Sequence, residues 1–258
     1  MFKIPEKIDD YVTLLEAGTP FTHTNIGGDG EFLTMVGWGG INSDGVESTP
    51  EKAEALARVI LEPRLTLHGY NPGKNGSPKR ADAEAWLRER GVNVPSQDAT
   101  LLYDTDFGDS KINVPWVHKE IISSANVRGR LGPFLKVLRG RPLLMVGPDW
   151  IEPFRQKMGA EGYLLPRAIG WGSLAEIEKE LREEVARLPS DAVVTLSLGY
   201  LSKVLTWRLA PDFPSITQID VGACFDPYCG VLNRHGYKRP EWPDMMAKNL
   251  GSERGDRL

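Results

Sequence analysis

The stretch Asn25-Ile26-Gly27-Gly28-Asp29-Gly30-Glu31 sets two carboxylates two residues apart, with glycines before and between them. It follows a short β-prone run, Pro20–Thr24, and precedes an apolar run, Phe32–Trp38, so it lies where a strand hands over to a helix. On an extended or turning backbone, side chains two apart project to the same side. Asp29 and Glu31 are then a pair of hard oxygen ligands suited to Mg²⁺ or Mn²⁺, ions that share their remaining positions with water and substrate phosphates. Gly27, Gly28 and Gly30 remove the Cβ atoms that would hold a diphosphate away from the main chain. The same residues also read as a helix start, with Asp29 as N-cap and Glu31 favoured in the first turn by the helix dipole. Taken alone, the stretch leaves both readings open.

Other residues offer parts of such a site. Leu101–Asp106 reads as a strand running into a D-x-D pair, Asp104 and Asp106, which is a rival metal motif. Arg128 and Arg130 supply two guanidinium groups ahead of a helix, and arginine suits bidentate phosphate contact. Gly147 and Pro148 form a tight turn after the buried run Arg141–Val146, and ligands of open α/β sheets collect at such strand ends. Gly199 breaks the run Asp191–Leu198 before a helix, giving an N-terminus with Ser202 and Lys203 nearby where an anion can sit. Asp220, in the run Ile216–Val221, and Asp226, just beyond it, are candidate bases; Asp220 also reads as a turn-capping carboxylate. Gly73–Ser77 lacks the spacing of a P-loop, and no G-x-G-x-x-G fingerprint is present, so a dinucleotide cofactor finds no support.

The elements that must position these residues alternate along the chain. Helical spacing is expected over Glu6–Ala17, over Ala53–Leu61 after the Thr49 cap and Pro50, over Lys79–Arg90, Trp116–Ala125, Pro133–Leu138, Leu174–Leu188 and Leu201–Ala210. Strand runs are expected at Pro20–Thr24, Leu65–Tyr70, Leu101–Asp106, Arg141–Val146, Asp191–Leu198 and Ile216–Val221. Strand and helix in alternation specify an α/β chain with a mostly parallel sheet flanked by helices. The division expected is one Rossmann-like domain over residues 1–230, followed by a polar extension or lid over 231–258 that stands apart from the core.

Composition narrows the function classes. The 258 residues are 41% hydrophobic and 26% charged, enough for one large core. A formal net charge of −4 gives no global basic field, which argues against a chain that lives by attraction to phosphate backbones. Two cysteines, Cys224 and Cys229, exclude a disulfide framework, and the histidines at 23, 68, 118 and 235 are too scattered to complete a zinc site with them. No run approaches the ~18 apolar residues of a membrane span, so a cytoplasmic location is expected.

The order of parts resembles the GT-D fold glycosyltransferases, a family marked by a D-x-E metal motif. The residues that carry the resemblance are G-G-D-G-E at 27–31, Asn126-Val-Arg128, R-P-L-L-M-V-G-P at 141–148, V-V-T-L-S-L-G-Y-L-S-K-V-L at 193–205, and I-D-V-G at 219–222 with Asp226. It spans roughly residues 20 to 230. The resemblance implies that Asp29 and Glu31 hold a divalent metal on the diphosphate of a nucleotide-sugar donor. It places the 147–148 and 199–203 turns at the donor-side strand ends, makes Lys203 a phosphate or leaving-group partner, and matches Arg128 to the family's arginine. Departures are Gly199-Tyr-Leu-Ser-Lys203, where the family often shows G-P-T-A-K, and Asp220-Val-Gly-Ala223, where it shows D-I-G-H. Histidine is therefore missing at 223. The implied reaction moves a sugar to a hydroxyl acceptor, a glycan or a hydroxymethylated DNA base. For DNA, the compact basic and aromatic candidate is Arg234, Lys238, Arg239 and Trp242. A non-catalytic nucleotide or nucleic-acid binding module, and a GT-A-like enzyme using Asp104 and Asp106, are the alternatives.

Overall fold

The computed structural model describes residues 5–26, 49–62, 64, 66–70, 78–94, 111–112, 114–118, 121–160, 162–166, 168–232 and 235–251. The Gly27–Glu31 motif and the Asp104/Asp106 pair lie outside these residues. Strands β1 (Thr22–Asn25), β2 (Leu67–Tyr70), β3 (Trp116–His118), β4 (Leu143–Val146), β5 (Gly162–Leu164), β6 (Val193–Leu196) and β7 (Thr217–Asp220) form one sheet in the order β3-β2-β1-β7-β6-β4-β5. Every pairing is parallel.

The helices segregate by the direction in which each crossover steps along that order. Helices α1 (Ile8–Glu16), α2 (Pro50–Leu61), α3 (Pro78–Glu89), α4 (Ile121–Val127), α5 (Gly132–Arg139), α6 (Glu152–Met158), α7 (Leu174–Val185), α8 (Tyr200–Leu209) and α9 (Trp242–Leu250) are those among the described residues. Steps from β1 to β2, β2 to β3, β5 to β6 and β6 to β7 run one way, and their helices α2, α3, α7 and α8 share one core with Val194 and Leu196. Steps from β3 to β4 and β4 to β5 run the other way. Their helices α4, α5 and α6 pack with α1, α9, Val193 and Ile219 on the opposite face. Crossovers of a single hand require this split, because reversing direction along the sheet reverses the face on which the helix returns.

Local signals explain several boundaries. Thr49 caps α2 by accepting from the Lys52 N–H at 3.4 Å, with Pro50 at the first helical position. In α7 the apolar residues Leu174, Ile177, Leu181 and Val185 are the buried ones, as their spacing predicts. The expectation of a helix over Trp116–Ala125 needs correction: residues 116–118 are strand β3, and the helix begins at Ile121. Trp116 packs into one core and Val117 into the other, so burial on both faces removes the alternation that marks a strand.

The C-terminal segment also differs from expectation. Tyr237 and Trp242 are buried in the second core. Asn249 of α9 donates to the Asn126 carbonyl at 2.9 Å and to the Tyr228 hydroxyl at 3.0 Å, and its Oδ1 accepts from the Leu131 N–H at 2.7 Å. Asn126 in turn donates to the Cys224 carbonyl at 2.7 Å. This buried network joins α4, α9 and the segment after β7. An Asn249→Ala variant leaves several of these groups without partners and should lose about 2–4 kcal/mol of stability, read from urea denaturation.

Two histidines sit inside the sheet layers. His23 on β1 contacts the Tyr11 ring and His68 on β2 contacts Trp116, and neither ring nitrogen pair has a hydrogen-bond partner among the described residues. Burial is the main cause that lowers each from 6.5 to about 3, helped at His23 by the Lys203 ammonium and at His68 by His23. The unfolded chain therefore takes up these protons first, so their contribution is complete above the unfolded value and is lost as pH falls toward the folded one. Between pH 7 and 5, stability should fall by roughly 2 kcal/mol per histidine. His68→Phe should flatten the pH dependence of the urea midpoint by that amount.

Candidate functional site

The carboxyl ends of the strands gather the residues of interest. The chain leaves β4 toward β5 and leaves β6 toward β7, so the connections after these two paired strands depart in opposite directions, the switch point at which parallel α/β sheets form a ligand crevice. Gly147 lines it closely: a Cβ there would stand 2.9 Å from Ile151 Cδ1 and 3.2 Å from Ser197 Cβ. Tyr163 of β5 braces this turn by donating to the Pro148 carbonyl.

At the middle of the sheet, one carboxylate ties three segments together. Asp220, the last residue of β7 and 0% exposed, accepts from Lys203 Nζ at 3.0 Å and from the Asn25 N–H at 3.1 Å through Oδ2. Its Oδ1 accepts from the Gly222 N–H at 3.1 Å. Asn25, the last residue of β1, returns a bond from Nδ2 to the Asp220 carbonyl at 2.7 Å. Lys203, 4% exposed on the first turn of α8, also donates to the Gly199 carbonyl at 3.2 Å. Gly199 has φ +59° and ψ −132°, a conformation open to glycine, and it turns the chain from β6 into α8 within a few residues.

The structure brings Gly199, Ser202, Lys203 and Asp220 together, with Gly147 one strand away on the same edge. It gives several of them roles other than those expected. Ser202 is buried and its Oγ accepts from the Leu198 N–H at 2.9 Å, so it shapes the turn from within. The N–H groups of Leu201 and Ser202 donate to the Leu198 and Gly199 carbonyls, so they do not form an open anion cradle. Lys203 pairs with Asp220 at 3.0 Å and is buried beside it. Asp220, sealed from water, accepts three bonds and anchors these segments. The missed residue is Asn25, whose place at the head of the glycine-rich motif was its only sequence signal.

Asp226 lies in a short 3-10 turn, Asp226–Cys229, and its Oδ1 accepts from Trp150 Nε1 at 3.2 Å. Arg128 is exposed beyond the end of α4, and its side chain bonds to none of the described residues. Lys238 and Arg239 are exposed, but Trp242 is buried in the core, so the expected basic and aromatic groove loses its stacking platform. Burial pushes the Cys224 thiol up to about 12 and also raises Cys229, which leaves both as unreactive thiols at neutral pH. Among the described residues there is no group of three or more His, Cys, Asp or Glu that could hold a metal ion. No described helix is long and apolar enough to cross a membrane.

The architecture is shared with solved structures. The chain is similar to a new glycosyltransferase (DUF1792) from Streptococcus sanguinis, at 15% identity and a TM-score of 0.55, over 86% of this chain and 82% of that one. It is also similar to a selenomethionine-substituted structure of domain of unknown function 1792 (TM-score 0.53, 15% identity, 86% and 79% of the chains). A third, described as the highly conserved domain of unknown function 1792 with a distinct glycosyltransferase fold, matches with a TM-score of 0.52 at 15% identity over the same shares. No family model matches the sequence, and no curated protein matches it. The chain thus has the distinct glycosyltransferase fold of these structures, the fold that the resemblance to the GT-D glycosyltransferases implies.

The Lys203–Asp220 pair has a consequence for stability that separates anchoring from ligand contact. Removing one partner of a buried pair leaves an uncompensated charge, so Lys203→Met should cost about 3–5 kcal/mol. Adding Asp220→Asn to that variant should restore part of the loss in thermal or urea denaturation, because the remaining amide is neutral and its oxygen still accepts from Asn25.

Proposed function

We propose that this protein is a glycosyltransferase that moves a sugar from a nucleotide-diphosphate donor to a hydroxyl acceptor. The observation that carries the reading is the anchored end of β1. Asn25 is fixed to Asp220 at the middle of the strand-end edge, and the D-x-E motif begins four residues further along the chain. Connectivity alone keeps Asp29 within about 14 Å of Asn25. The likeness of fold to the DUF1792 structures supports the same reading.

Asp29 and Glu31 offer the hard oxygen pair that Mg²⁺ or Mn²⁺ takes, and no described cluster competes with them for the ion. A metal held there supplies charge neutralisation on the departing diphosphate. Gly27, Gly28 and Gly30 let the main chain come close to the phosphates. Lys203, Asp220 and Ser202 act one step back, holding the end of β1, after which the motif follows in the chain, and the turn into α8. In the transfer, the acceptor oxygen bonds to the anomeric carbon as the bond from that carbon to the diphosphate oxygen breaks. The acceptor proton passes to a carboxylate at this edge. A DNA acceptor loses the Trp242 stacking platform, which is buried in the core.

The test is release of nucleotide from a panel of nucleotide sugars with Mn²⁺. One donor should be turned over, EDTA should abolish the reaction, and Asp29→Ala should lower it by about 100-fold or more. Loss of activity in Asp104→Ala with Asp29→Ala unaffected would move the metal to the D-x-D pair. If no nucleotide sugar binds even with metal, the transferase reading fails and a non-catalytic binding module replaces it.

A further inference from the structure

Among the described residues, four large hydrophobic side chains are exposed: Trp150, Leu165, Ile169 and Leu232. Three of them, Trp150, Leu165 and Ile169, lie on segments leaving the carboxyl ends of β4 and β5, at the edge that carries the crevice. A single exposed apolar residue needs no explanation. Trp150 differs because it is both open and held. The residue is 44% exposed, while its side chain's one polar atom is turned inward to the carboxylate of Asp226, a residue itself 7% exposed. The backbone beneath it is fixed by the Tyr163 hydroxyl on the Pro148 carbonyl and by the close approach of Gly147 to Ser197. The indole is thus a rigid plate whose N–H is already satisfied and whose remaining surface is free to pack.

We infer that Trp150 is the platform on which a saccharide acceptor stacks, with Asp226 as the residue that sets the ring's orientation; this rests on the transferase reading above. A pyranose presents an apolar face of C–H groups, which packs on an aromatic face and asks for no hydrogen bond from the ring itself. A nucleobase would seek in-plane donors as well as acceptors; at this turn the Trp150 N–H, Asp226 Oδ1 and the Pro148 carbonyl are bonded to protein, and the exposed Asp149 carboxylate offers acceptors alone, which suit sugar hydroxyls. Trp150 shares the strand-end edge with Asn25: three strand spacings, roughly 14 Å, separate β4 from β1.

The probes are p-nitrophenyl glucoside, galactoside and N-acetylglucosaminide, used with the donor that the wild-type protein turns over. Trp150→Ala should raise the KM for the accepted glycoside about tenfold, with kcat at saturating glycoside and the donor KM moving far less. Trp150→Phe, which keeps an aromatic face but loses the N–H, should recover most of that loss. Independently of turnover, the Trp150 indole ¹H–¹⁵N resonance, assigned by its absence in Trp150→Phe, should shift when the glycosides are added. A rise in donor KM in Trp150→Ala would assign the ring to the nucleotide and overturn the inference. So would an unchanged glycoside KM, or an indole resonance that none of the glycosides moves. Donor hydrolysis that persists while no glycoside is used overturns this inference alone, whereas failure of every donor to bind overturns the transferase reading.

Discussion

The Asp220 carboxylate is the constraint on which the working edge of this molecule depends. It is a charge held without exposure to water, and such a charge is stable only with full compensation. Lys203 supplies the countercharge and the Asn25 and Gly222 N–H groups supply the remaining donors. Because those partners come from α8, from the end of β1 and from the turn after β7, meeting the electrostatic demand of one side chain fixes three chain segments relative to one another. The glycine-rich motif after β1 departs from a point set by this knot.

Handedness supplies the second constraint. Seven parallel strands with crossovers of one hand leave little freedom in where each helix returns, and they place every strand end on one edge. The reversal of direction between β4 and β6 makes a switch point on that edge. Gly147 and Gly199 then do different jobs there. One removes a side chain so that two strand ends can close up, and the other takes a backbone conformation that lets a helix start at once. The strand-end edge is thus produced by the topology, and the polar knot and the glycines refine it.

The second face is closed by polar bonds inside an apolar layer. Asn126 and Asn249 link α4, α5, α9 and the segment around Cys224 through hydrogen bonds that are short of solvent. Such a network is worth more than its individual bonds because each partner, once buried, has no alternative. The last helix is therefore bound into the core by Trp242 and Asn249 together, one by area and the other by specificity.

The α/β class, most of the helices and strands, and the strand-end turns at Gly147 and Gly199 were legible in the sequence, because period, caps and glycine act locally. The amphipathic face of α7 and the Thr49 cap of α2 are set by residues within a turn or two of each other. Tertiary structure decided the rest. Nothing near Lys203 in the chain says that its ammonium pairs with Asp220, seventeen residues on, or that Asn25 completes the same knot from 195 residues away from that carboxylate. Trp116–His118 became a strand and Trp242 a core residue through neighbours distant in sequence. Side-chain types fix what a residue can do. Burial and partnership fix what it does, and both are properties of contacts that only the folded chain creates.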